Sequence, residues 1–309
     1  MTAPAFNAPA GWPTRRAVPG RRFGWLLVTP ALAMFAANCI FPLVYAVLIS
    51  FQHYQMLIPV PPRFAGLANY VAIFSDPLFW SSLKVTLWFL AGVIFLQFPA
   101  GFALALLLDR LPKRADLAAT VLLIPTIIAP SVVAFQWIQL YNYQFGPINF
   151  LLGLAGITRP TWTGSPSLAL PSLMVVDFWE WTPFIMLLLL AGLRALPTDI
   201  IEAARVDGSS AWQVTLRMRL PLLRPVIGIA AVLRVLMSFK LFDIIYVLTA
   251  GGPGAATENL AYFTYIQAFR YFNLGYASAL AILQLILVIV LAKALLALTR
   301  QSGRQVLPA

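Results

Sequence analysis

Charge is what this sequence has least of. Of 309 residues only 10% are Asp, Glu, Lys or Arg, while 61% are hydrophobic; a soluble domain averages about 25% charged and about 45–50% apolar. Such a chain cannot cover a soluble surface with polar groups, so a membrane protein is expected. Histidine is nearly absent: His53 is the single one, which removes His-cluster zinc sites and most triad chemistry, and it is expected in a solvated loop. Cys39 is the only cysteine, so no intramolecular disulfide and no cysteine metal site can form. Lying inside the first apolar run, Cys39 reads as a small buried residue. Lys and Arg number 21 against 10 acids, but they are spread along an apolar chain and form no basic domain, so nucleic acid is not an expected partner. No His, Cys or Ser constellation stands at usable catalytic spacing, so no enzyme is expected.

What the sequence has is long apolar runs. A helix needs about 20 mostly apolar residues to cross the hydrocarbon core, and six stretches reach that length, at 24–51, 82–108, 117–140, 168–193, 222–248 and 277–298. The first is too long for a cleaved signal peptide and reads as a retained span. Backbone groups in lipid must satisfy one another, so the expected fold is an all-α integral membrane bundle. Interior prolines such as Pro42, Pro99, Pro125, Pro130 and Pro183 predict kinks. The spans sit within a transmembrane domain at 24–299, preceded by an arm at 1–23 and followed by a tail at 300–309.

Flanking basic residues set the direction. With both termini in the cytoplasm, fifteen Lys and Arg fall inside and only Arg63, Lys84, Arg159 and Arg270 outside, while Arg234 and Lys240 lie within the fifth span. That asymmetry predicts cytoplasmic termini. The three outer segments, at 51–81, 141–167 and 249–276, are longer than the usual links of helical bundles and read either as structured connectors or as docking loops.

The loop at 194–221, between the fourth and fifth spans, carries the strongest pattern. Pro197 followed by Thr198 or Asp199 as cap predicts a short helix with Glu202, Ala203 and Ala204 on it. Asp207-Gly208 is a turn signal, and Ser209 or Ser210 caps a second short helix that ends before Pro221. Ala203 and Ala204 leave a small smooth face, Glu202 and Asp207 add negative charge, and Trp212 and Val214 are apolar anchors. A protruding helix of this kind suits a groove on another protein.

Glu202-Ala203-Ala204, Gly208, Met218 and Leu220-Pro221 together resemble the cytoplasmic signature of the membrane-spanning permease subunits of bacterial ABC importers, of the sugar-importer type. That signature runs Glu-Ala-Ala, three residues, Gly, nine residues, Ile-x-Leu-Pro, and Met218 stands where Ile is usual. Phe41-Pro42-Leu43, Tyr141-Asn142, Phe145-Gly146-Pro147-Ile148-Asn149, Trp181-Thr182-Pro183-Phe184 and the run from Phe242 to Pro253 extend the resemblance to the first of the two permease types in such importers. The resemblance implies a type I importer permease fold in the bacterial inner membrane. It also implies a second homologous permease, two ATP-binding subunits and an extracytoplasmic solute-binding protein as partners. The Glu202 helix would then be the coupling helix, contacting an ATPase subunit through Glu202, Ala203, Ala204, Asp207, Gly208, Met218, Leu220 and Pro221. ATP and magnesium would belong to the partner subunits: this chain has no Walker A pattern, and no bound cofactor or metal is expected in it.

Charged groups at mid-membrane cost about 2.5–3.5 kcal/mol each on insertion scales. Lys240 and Asp243, three residues apart, are expected to pair on one helix face. Asp177, Trp179, Glu180 and Trp181 combine hydrogen-bonding acids with indole rings that suit a sugar or polyol. They read equally as an interfacial tryptophan belt with solvated acids. Gln136, Trp137 and Tyr246 are further candidates for the solute path, and Arg234 reads as a structural or gating charge. The competing class is a secondary transporter working without an ATPase, which would typically carry more spans or inverted repeats; no repeat between the halves is evident.

Overall fold

The computed structural model describes residues 21–111 and 115–303. The expected arm up to residue 20 and the expected tail from residue 304 lie outside the described residues, as do Lys113 and Arg114. The chain divides into two packing units, one ending at Leu48 and one beginning at Ile49.

The first unit holds α1 (Arg21–Phe35), a π-helical turn at Ala36–Ile40, and most of α2 (Phe41–Ser50). Val28–Ser50 is long and apolar enough to cross a membrane. Cys39 lies in the π turn and is exposed, against the expectation of burial. A helix that is apolar on every face gives a small residue no preferred inward side.

The second unit opens with a two-residue antiparallel hairpin of β1 (Gln52–His53) and β2 (Arg63–Phe64). His53 is exposed, but in a strand opposite Arg63 and not in a loop. The short α3 (Ala68–Ser75) follows, and Asn69 Nδ2 ties it back by donating to the carbonyls of Ser50 at 2.8 Å and Gln52 at 2.9 Å. Next comes α4 (Pro77–Asp109), 33 residues long. It begins five residues before the apolar run because Asp76 caps it, accepting from the Leu78 amide at 2.9 Å, and Pro77 occupies its first turn.

The expected third span, 117–140, is not one helix. It is α5 (Ala115–Leu122), the four-residue α6 (Ile124–Ile127) and α7 (Pro130–Leu140). Pro125 and Pro130 each stand in the first turn of a new helix, where the missing N–H costs nothing. They divide the segment where a kink was expected. Then come α8 (Pro147–Leu154) and the 29-residue α9 (Pro166–Arg194), which does keep Pro171 and Pro183 inside it.

After the hairpin of α10 (Thr198–Val206) and α11 (Ala211–Val214), a π turn at Thr215–Arg219 leads through α12 (Leu220–Leu222) into α13 (Arg224–Phe239). Between Ala211–Leu222 and Arg224–Phe239 the axis turns by 63°. The expected fifth span, 222–248, is likewise divided, into α13 and α14 (Asp243–Leu248). The chain finishes with α15 (Leu260–Tyr265), a π turn at Ile266–Arg270, and α16 (Leu274–Gly303). Among the described residues four helices are long and apolar enough to span, or five if the bent pair is one crossing. The six expected crossings are therefore not six continuous helices.

The core of this unit is organised around α4 and α9, its most extensive helix pair. At one end Ala105, Leu108, Ile185, Met186 and Leu189 pack with α5 and α13. In the middle Phe89, Val93, Leu173 and Val176 pack with α7 and α14. The close approach rests on Gly101: a Cβ there would stand 2.9 Å from Ile185 Cγ2 and 3.1 Å from the Met186 backbone nitrogen. Small residues at such crossings are how membrane helices gain van der Waals contact. Gly101→Leu is expected to separate α4 from α9 and cost about 1–3 kcal/mol or more. A lowered thermal transition of the detergent-solubilised protein checks this, with Gly164→Leu, an exposed site where an added Cβ would meet only ordinary contact at 3.6 Å from Thr161 Cβ, as the comparison for bulk alone.

Candidate functional site

Two features of the second unit carry chemistry: the hairpin between α9 and α13, and a buried charge cluster where α4, α9 and α13 meet.

The hairpin is built by local signals. Pro197 precedes α10, but no side chain caps that helix; Thr198 is its first residue and hydrogen-bonds Asp199, so the expected Thr198 or Asp199 cap is absent. Its far end is closed twice by backbone: Gly208 N–H donates to the Arg205 carbonyl at 3.1 Å and Ser209 N–H to the Ala204 carbonyl at 3.0 Å. That pattern needs a left-handed residue at the turn, and Gly208 has φ +82°. Ser210 then starts α11 through a reciprocal capping box: its hydroxyl accepts from Gln213 N–H at 3.3 Å, and its own N–H donates to Gln213 Oε1 at 2.8 Å. The second helix does not end before Pro221, since the π turn carries it through Leu220-Pro221 to Leu222.

Ile201, Ala204 and Val214 form a small buried cluster, with Leu196 and Met218 packed on it. This fixes what the other side of α10 presents. Asp199, Glu202, Ala203 and Val206 are exposed on one stripe, Val206 at 88%, and Asp207, Gly208 and Trp212 are exposed beside it. Val214 is a buried anchor, whereas Trp212 faces outward. Two ion pairs brace this end of the unit: Arg194 to Asp116 at 3.0 Å, exposed, and Arg219 to Asp109 at 3.1 Å, largely buried. Neither pair is visible in the sequence, because each joins residues distant in the chain.

In the charge cluster, Arg234 on α13 ion-pairs with Asp177 on α9 and donates through Nε to Gln97 Oε1 on α4 at 2.6 Å. Gln97 Nε2 in turn donates to Asp177 Oδ2 at 2.8 Å and to its carbonyl at 2.9 Å. The Trp181 ring lies 5.8 Å from the Arg234 guanidinium, within cation–π range. All three members of the triad are at most 1% exposed. Glu180 is also fully buried, and both of its oxygens lack a hydrogen-bond partner, as does Asp177 Oδ1. Asp177 and Glu180 are therefore not solvated acids. Arg234, read as a structural or gating charge, is held inside this network, while Gln97, eighty residues from Asp177, gives no local signal in the sequence.

Lys240 and Asp243 do not pair. The i, i+3 expectation presupposed a continuous helix, but α13 stops at Phe239 and α14 starts at Asp243; no ion pair joins the two among the described residues. The break is stabilised from outside, with Gln284 Nε2 donating to the Phe239 carbonyl and Asn259 Nδ2 to the Leu241 carbonyl, each at 2.6 Å. Irregular backbone at membrane depth is tolerated where it is buried in protein or lines a cavity. Here it lines one of about 210 Å³, with Asp177, Trp181, Arg234, Lys240, Phe242 and Asp243 on its wall.

The other expected path residues lie around this cavity or away from it. Trp137 is buried on α7 and meets the exposed Trp179 edge-on at 6.0 Å. Gln136 is exposed on α7, and Tyr246 stacks on Phe242 at 5.3 Å.

The fold and site define a helical unit of a membrane protein with a broken, polar-lined helical segment and an exposed hairpin. The chain belongs to the family of binding-protein-dependent transport system inner membrane components, whose profile matches residues 97–305. It is a permease subunit of an ATP-driven import system, a membrane component. It is 37% identical over 271 residues to the trehalose/maltose transport system permease protein MalF of Thermococcus litoralis, covering 87% of this chain and 90% of that one. With the trehalose transport system permease protein SugA of Mycobacterium tuberculosis it shares 36% identity over 85% of this chain and 84% of the relative. Among solved structures, a bacterial alginate ABC transporter in complex with an alginate pentasaccharide-bound periplasmic protein matches with TM-score 0.79. That match is 20% identical and covers 91% of this chain and 95% of the other. At that identity the likeness speaks for the fold alone.

Removing one partner of a buried pair leaves an uncompensated charge, at a cost of about 3–5 kcal/mol. Arg234→Met is expected to lower thermal stability by that order. Arg234→Met combined with Asp177→Leu should melt closer to wild type than Arg234→Met alone. Additive losses in the cycle of single and double variants would count against the pairing as the source of the effect.

Proposed function

We propose that this chain forms half of the translocation path of a sugar or polyol importer, pairing with a second homologous permease, and that the 202–221 hairpin is where an ATP-binding subunit grips it. Two ATP-binding subunits, which hold the ATP and magnesium, and an extracytoplasmic solute-binding protein complete the assembly. Both termini and the hairpin then face the cytoplasm of a bacterial cell, as the basic flanks favour. The transmembrane domain runs over 24–299.

The observation that carries the reading is the exposed Asp199–Glu202–Ala203–Val206 stripe on a helix stiffened at its far end by the Gly208 closure and the Ser210 box. A short rigid helix with a smooth apolar patch and fixed negative charge is a good insert for a groove. Force applied there passes through Arg219–Asp109 into α4 and round the 63° bend into α13.

The relatives named for trehalose and maltose support a sugar or polyol as the solute. So does the balance of the cavity: Asp177 and Asp243 set against Arg234 and Lys240 leave no net charge, with Trp181 and Phe242 offering aromatic faces. That combination suits a neutral, hydroxyl-rich molecule. Trp137, Trp179 and Tyr246 extend the aromatic wall, and Gln136 is the outlying member of the proposed path.

Glu202→Lys cancels the net negative charge of the stripe without touching the buried cluster. Gly208→Val forces a β-branched residue into a left-handed turn, at about 1–2 kcal/mol. Both are expected to abolish solute-stimulated ATP hydrolysis in the reconstituted complex, while the binding protein keeps its affinity for solute. Coupled hydrolysis at the wild-type rate, or uptake by the permease pair with no ATPase present, would overturn the proposal.

A further inference from the structure

Glu180 is the residue that nothing above accounts for. Both carboxylate oxygens are buried without a hydrogen-bond partner, and the side chain is 0% exposed. It is not on the wall of the polar cavity. A buried carboxyl group with no hydrogen-bond partner is unfavourable in either protonation state, so its position asks for a partner in another state of the molecule.

The neighbouring geometry identifies that partner. Glu180 follows Asp177 by three residues on the continuous helix α9, so the two acids lie on one face about 4.5 Å apart along the axis at 1.5 Å per residue. The Arg234 guanidinium, which belongs to a different helix, is bound to the first acid and lies against the ring of Trp181, the residue next to the second. We propose that Glu180 is the second station of Arg234. In the conformation seen here the guanidinium pairs with Asp177. In the alternate one, α13 moves along α9 by close to one helical turn, toward the hairpin end, and the guanidinium pairs with Glu180. Discrete one-turn shifts between packed helices are an established form of two-state motion. α13 is the helix on which a pull would act, since it continues from the hairpin through the bend at Leu223. Two acceptors on one face keep the buried cation compensated at both ends of the stroke. Glu180 is thus a positioning residue for the transport cycle, acting through Arg234 and not on the solute.

This inference rests on the ATP-driven reading, and its test is arranged to separate the two. Cysteines introduced for spin labels at the exposed positions Leu187 on α9 and Ile229 on α13, in a Cys39→Ser background, report the stroke by pulsed dipolar spectroscopy. The sample is the assembled complex in nanodiscs, with no solute present. A second label pair, from Val206 to an ATPase subunit, reports engagement of the hairpin. A non-hydrolysable ATP analogue is expected to move the α9–α13 distance of the wild type from one population to another.

Glu180→Gln, which removes the negative charge of the second acceptor, should reduce the nucleotide-induced population at least tenfold. Asp177→Asn, which weakens the first, should raise that population without nucleotide. Opposite effects of two isosteric substitutions are the signature, because a purely structural role would move both the same way. Shifts in the same direction, or a wild-type nucleotide response from Glu180→Gln, overturn the proposal. Should Glu180→Gln fail to assemble, Glu180→Asp keeps the charge but withdraws it, and is expected to cut the nucleotide-induced population part-way; a wild-type response from it is equally fatal. If the Val206 pair responds to nucleotide while the α9–α13 pair in wild type does not, the second station is wrong and the coupling reading stands. If neither pair responds, both fall.

Discussion

A guanidinium inside a membrane protein must be neutralised, and Arg234 is where this structure meets that demand. Its pairing with Asp177 and Gln97 draws α4, α9 and α13 to one point and sets their relative register in this conformation. Such a pair adds little net stability over a well-packed apolar substitute, yet breaking it is costly. Its contribution is therefore to specify which residues of three largely featureless apolar helices face each other. The same demand recurs wherever the helices stop: Gln284 and Asn259 satisfy the carbonyls freed at the 240–242 break, and Thr86 Oγ1 accepts the Leu260 amide at 3.0 Å at the start of α15. In lipid each freed backbone group needs such a partner.

The hairpin follows a different economy. It projects from the helical unit, so its shape comes from caps, a glycine in a left-handed turn, and a cluster of only three buried residues. Its two braces are unequal. An exposed pair such as Arg194–Asp116 contributes about 0–1 kcal/mol, and the more buried Arg219–Asp109 is the stiffer link. A rigid tip joined to the bundle through one firm contact and one bend can transmit displacement without unfolding.

Legibility in the sequence tracks the range of the interactions. The hairpin was readable residue by residue at Asp207-Gly208 and at Ser210, because a turn residue and a capping box act over three or four positions. The start of α10 differs from the expectation because the N-cap position falls on Pro197, which offers no side-chain acceptor, and Thr198 is already the first helical residue. Prolines were ambiguous: Pro171 and Pro183 sit inside α9, while Pro125 and Pro130 open new helices, and the difference lies in what neighbouring segments supply to the freed carbonyls. The helical spacing that would pair Lys240 with Asp243 is abolished by the break at 240–242.

By itself, then, the amino-acid order determined the membrane class, the apolar segments, the direction favoured by the basic flanks and the shape of the hairpin, since each follows from composition or from contacts a few residues apart. Only the tertiary structure decided that Gln97, Asp177 and Arg234 form one network, that two apolar runs are broken, and that Glu180 stands alone. Those outcomes depend on groups 57 to 137 positions apart, and an apolar helix with no marked polar face gives no pattern from which its neighbours can be read.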